Sequence, residues 1–71
     1  MKLPRDLSGD EVIRALRRLG FAVVRQVGSH IRLTRGEARV TVPAHHVIVP
    51  GTLKSILRQT GVTVEELLAA L

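Results

Sequence analysis

At Gly20 the spacing of the apolar residues changes period, and that change limits what this chain of 71 residues can build. Before it, Val12, Ile13, Leu16 and Leu19 recur at helical spacing, while Arg14, Arg17 and Arg18 fall largely off the stripe. A helix is expected there. Ser8-Gly9-Asp10-Glu11 has the S-x-x-E form of a capping box to start it, and Gly20 supplies the stop. After Gly20 the segment FAVVRQV is β-branched and extended, and HIRLTR and ARVTVP alternate apolar with polar residues. Three short antiparallel strands follow, with turns at Gly28-Ser29 and Gly36-Glu37. Gly28 is expected to serve the turn with a positive φ.

Alternation sends Ile31, Leu33, Val40 and Val42 to one side of the sheet and leaves His30, Arg32, Thr34, Arg39 and Thr41 for the other. One face is core and the opposite face is polar and basic. Pro43 ends the third strand, and Ala44 to Pro50 reads as a loop whose VIV segment tucks inward. Thr52 is the expected cap of a helix with Leu53, Ile56 and Leu57 inside and Lys54 and Arg58 outside, ended by Gly61. Thr63-Val64-Glu65-Glu66 is a second capping box, opening a terminal helix whose Leu67, Leu68 and Leu71 read as core. The order α-β-β-β-α(-α) predicts an α+β architecture, a small three-stranded antiparallel sheet with helices packed on one face, in one domain over residues 1–71.

Eleven Lys and Arg against six Asp and Glu give a net charge of +5, so the expected partner is polyanionic, nucleic acid or an acidic protein. With 45% apolar residues the chain is too hydrophobic for a disordered basic tail. Cysteine is absent, which excludes disulfides and thiolate zinc sites, and a domain this small then draws stability from close packing or from a partner. MKLPR at the start does not resemble a signal peptide and no apolar run is long enough to span a bilayer, so a cytoplasmic location without membrane contact is expected. Phe21 is the one aromatic residue, which leaves no stacking platform for bases; any nucleic-acid contact must rest on charge, shape and backbone hydrogen bonds.

His30 is the residue best suited to chemistry. It follows the Gly28-Ser29 turn, on the polar strand face, with Arg32 two residues along on that face. An imidazole can take or give a proton near cellular pH, and a neighbouring guanidinium can hold a phosphate and stabilise charge building on it. The pairing suits cleavage of RNA, whose 2′-OH supplies the nucleophile, so neither a protein nucleophile nor a metal is required. The plain alternative is a solvated strand histidine. Ser29 and His30 point to opposite faces and do not form a dyad; Ser29 serves the turn or donates to phosphate, and Gly28 serves the turn or, as the second reason, lets RNA approach closely. His30, His45 and His46 match no familiar metal-ligand spacing, so no metal and no small-molecule cofactor are expected. His45 is either a second proton carrier or phosphate ligand, or a loop histidine bonded to backbone. Lys54, in the first turn of its helix, can track a phosphate, as can the arginines of the first helix; a solvated helix face is the alternative for each.

Gly28-Ser29-His30, the alternating strand after it, Val42-Pro43-Ala44-His45, and the run PGTLKSILRQTGV from Pro50 to Val62 together resemble the HicA (YcfA-like) family. The resemblance implies a small mRNA interferase toxin of a type II toxin–antitoxin pair. It also implies a fold similar to the double-stranded RNA-binding domain, His30 as the catalytic residue, metal-independent endoribonuclease activity, and a HicB-type antitoxin that covers the active site. His46 departs from the pattern. Two other classes compete: a non-catalytic RNA-binding module, and a DNA-binding helix-turn-helix outlined by LKSILRQTGVTVEELLAAL. The second lacks chemistry, because Val64 to Leu71 offers Glu65 and Glu66 and no Arg, Lys, Asn or Gln.

Overall fold

The computed structural model describes residues 3, 4 and 6–71; Met1, Lys2 and Arg5, all in the opening MKLPR segment, lie outside them. The elements run α1 (Gly9–Arg18), β1 (Ala22–Val27), β2 (His30–Arg35), β3 (Ala38–Pro43), α2 (Pro50–Thr60) and α3 (Val64–Ala70). The strands form one antiparallel sheet in the order β1-β2-β3. This is the expected α+β arrangement.

The helix α1 forms where its caps dictate. The Ser8 hydroxyl accepts from the Glu11 amide at 3.1 Å, and the Glu11 carboxylate accepts from the Ser8 amide at 3.1 Å. Gly9 lies against the loop that leaves β3: its amide donates to the His45 carbonyl at 2.8 Å, and a Cβ here would run into the Pro43 carbonyl oxygen. At the other end Gly20 takes a φ of 100°. There the Arg35 guanidinium donates to the Leu19 carbonyl at 2.7 Å and lies 4.6 Å from the centre of the Phe21 ring. A cation is stabilising at a helix C-terminus and over an aromatic face, so Arg35 serves the fold.

The core fills the space between the sheet and the helices. Val12, Ala15 and Leu16 of α1 meet Leu33, Val40 and Val42 of the sheet, Leu53 and Ile56 of α2, and Leu67 of α3. Arg18 of α1 also reaches across to the Ala70 carbonyl at 2.9 Å, tying α1 to the end of α3. Among the described residues Thr60 is the buried polar one; its hydroxyl donates to the Leu57 carbonyl and accepts from the Val62 amide.

Several expectations need correction. The helix α2 starts at Pro50, with Val49 in the cap position and no side-chain cap bond, so Thr52 lies inside it. Pro at the first helical position has no N–H to satisfy and a φ already suited to the helix, which makes a Thr cap unnecessary. Of the VIV segment only Ile48 is buried; Val47 and Val49 are 50% and 57% exposed. One inward side chain, fixed by the Ile48 amide bonding to the Leu7 carbonyl at 2.6 Å, is what the gap accepts. In α3 the buried residues are Leu67 and Ala70, whereas Leu68 and Leu71 are exposed. A seven-residue helix resting on one neighbour has only a narrow inward stripe. The strand β1 is exposed along its whole length, with Phe21, just before it, supplying the buried anchor.

Candidate active site

The site is built by pairing register. Residues directly opposite one another in neighbouring strands share a face of the sheet. On the face turned away from the helices the pairing forms three rows: Val27, His30 and Pro43; then Arg25, Arg32 and Thr41; then Ala22, Thr34 and Arg39. The middle row puts two arginines side by side, one step along the strand from His30. Arg25, Val27, His30, Arg32 and Thr41 line a shallow concavity of about 350 Å³ and are all exposed. None of the three strands contains an Asp or Glu, so no carboxylate of the sheet neutralises the arginines.

The expected residues separate into groups. His30 and Arg32 share the concavity, and the ring of His30 is open to a ligand. Gly28, with φ 59°, and Ser29 make the turn immediately before His30. The Ser29 carbonyl accepts from the Ala44 amide at 2.6 Å, which ties the start of the His45 loop beside the turn. His45 is exposed in that loop, and its own carbonyl is occupied by Gly9. Lys54 is exposed on α2, in the helical layer, and does not line the concavity. Among the described residues no group of three or more His, Asp or Glu gathers to hold a metal ion.

Arg25 is the site residue that sequence reasoning missed. Counting inward from buried Phe21 sends Arg25 to the core side of the sheet. Counting back from the two-residue turn pairs Val27 with His30 and Arg25 with Arg32, on the outer side. A register shift between Val23 and Arg25 reconciles the two, leaving Val24 as the extra residue of a β-bulge. The turn count was the signal that could have found it.

Chemically, the concavity combines a group able to transfer a proton with fixed positive charge, open to a long ligand. Among the described residues the helical side offers no equivalent: a hollow of about 140 Å³ has Glu11 beside Arg14 and Arg18, one of about 380 Å³ has Glu66 beside Arg18, and neither holds a histidine. The exposed face of α3 carries Glu65 and Glu66, charges of the wrong sign for a helix that reads DNA.

Fold and site together define a small basic α+β protein with an exposed histidine on a cationic sheet. Residues 9–62 match the family model described as the HicA toxin of bacterial toxin–antitoxin systems, and the chain belongs to that family. It is thus the toxin of a toxin–antitoxin system and has an antitoxin as partner. No curated protein matches the chain significantly. Among the described residues no helix is long and apolar enough to cross a membrane.

Proposed function

We propose that the protein is an endoribonuclease, an mRNA interferase, in which His30 is the general acid or base. The observation that carries the reading is the exposed His30 ring next to Arg32, in a concavity of an acid-free strand face, in a chain of the HicA toxin family. The 2′-OH of the substrate attacks the adjacent phosphorus as His30 takes its proton. The bond from phosphorus to the 5′ oxygen breaks, that oxygen is protonated, and the products end in a 2′,3′-cyclic phosphate and a 5′-OH. Arg32 stabilises the charge that builds on the phosphoryl oxygens. One imidazole cannot be base and acid at the same instant, and His45, on the loop tied beside Ser29, is the candidate for the second transfer or for a phosphate contact. Gly28 and Ser29 shape the approach of the strand, and Lys54 tracks the backbone further off.

Messenger RNA as substrate puts the protein in the cytoplasm. A HicB-type antitoxin inhibits it by covering His30 and screening the positive surface. The test is cleavage of a defined RNA by the purified chain. His30→Ala should lower the rate by about 10²–10⁴-fold. A 2′-deoxy nucleotide at the scissile position should block cleavage, and EDTA should leave it unchanged. Cleavage by His30→Ala at the parent rate would overturn the reading in favour of a non-catalytic RNA-binding module. Unimpeded cleavage in the presence of the antitoxin would overturn the inhibition.

A further inference from the structure

We infer that the β-bulge at Val24 is a device of the site: it turns Arg25 outward to pair with Arg32, and the two guanidinium groups together hold an RNA phosphate beside His30. The inference rests on the ribonuclease reading for its substrate and assigns a role to a residue outside the Gly28-Ser29-His30 motif. Three observations carry it. The bulge lies between the anchor Phe21 and the turn, and without it the core pattern and the turn register would demand opposite faces for Arg25. Bulges that re-aim one side chain recur next to active sites.

The second observation is the cost of the pair. Arg25 and Arg32 are directly opposite, an arrangement in which like charges repel, and no acidic residue of the strands offsets them. The repulsion is relieved by an anion between them. Third, the geometry fits one phosphate. Opposite residues have Cβ atoms about 4.5–5.5 Å apart. Residues two apart along a strand, as His30 and Arg32 are, lie roughly 7 Å apart. Two guanidinium forks can therefore converge on a single phosphodiester within reach of the imidazole. Thr41, the third member of the row, lines the same concavity and adds a hydroxyl donor.

The test separates binding from cleavage by using the His30→Ala protein and a labelled single-stranded RNA, with affinity read by fluorescence anisotropy across a salt titration. Adding Arg25→Ala should weaken binding about tenfold and reduce the slope of log K against log salt by about one. Arg25→Lys should restore the slope but not the full affinity, because a point charge replaces a fork. Arg39→Ala removes the same charge from the same face outside the concavity, and should weaken binding less than about twofold. The melting temperature of Arg25→Ala should be no lower than that of its parent, since a repulsion is removed. Undiminished binding by the Arg25→Ala protein, an equal loss from Arg39→Ala, or no RNA binding by the His30→Ala protein at low salt would each overturn the inference. Retained cleavage by His30→Ala would instead overturn the catalytic role of His30 and leave this binding result standing.

Discussion

In β2 and β3 the two faces of the sheet are made by alternate residues of the same strands, yet they differ in burial and in charge. On the inner face Leu33, Val40 and Val42 are no more than 2% exposed and pack against the helices. On the outer face His30, Arg32, Arg39 and Thr41 are exposed, and arginines stand beside one another without carboxylates. The inner face stabilises the fold by removing apolar surface from water. The outer face carries repulsion. The exposed histidine and arginines are therefore side chains that the core does not need, so a change on one face should leave the property of the other largely intact.

The comparison is most exposed to failure at Leu33. Leu33→Ala should destabilise the protein by about 2–5 kcal/mol, enough to lower the melting temperature by more than about 10 °C. A small shift would mean that the inner face is not the stabilising one. Gly9→Ala probes the place where the loop from the outer face meets the start of α1. Its methyl group must displace the Pro43 carbonyl, at an expected cost of about 1–3 kcal/mol read from denaturant unfolding. Removing the cap with Ser8→Ala should cost about 1 kcal/mol in the same measurement. His30→Ala should change stability by less than about 0.5 kcal/mol, as expected for an exposed residue outside the core. A large loss there would tie the two faces together.

The smallest effect concerns pH. The Thr63 amide and hydroxyl, with a lesser contribution from Arg35, hold the Glu66 carboxyl below its usual range. A folded pKa below the unfolded one gives stability that is present above the ordinary carboxylate range and lost as pH falls through the folded value. The difference in melting temperature between the parent and Glu66→Gln should therefore narrow on acidification from neutral pH. A difference that widens would contradict the sign.

Much of this was legible in residues alone. Both capping boxes, at Ser8 and at Thr63, form as written, because each depends on side chains three residues apart and on nothing distant. The outward placement of His30 and Arg32 was legible as well, since strand alternation is a local geometric rule. The errors fall where burial depends on what lies opposite. Thr52 reads as a cap until Pro50 is seen to start the helix first. Val47, Val49 and Leu68 read as core, but the space beneath them accommodates only Ile48 and Leu67.

The chain by itself therefore determined its elements, their order, the two-faced sheet and the position of His30 at the start of β2. All of these follow from short-range periodicity and hydrogen bonding. Tertiary structure decided which apolar residues are covered, and that the register counted from the turn, rather than the one counted from Phe21, sets the side on which Arg25 lies. Covering is a matter of volume between packed layers, and the bulge at Val24 resolves a conflict between the register imposed by the turn and the anchor imposed by the core. Neither constraint is contained in the strand that bends.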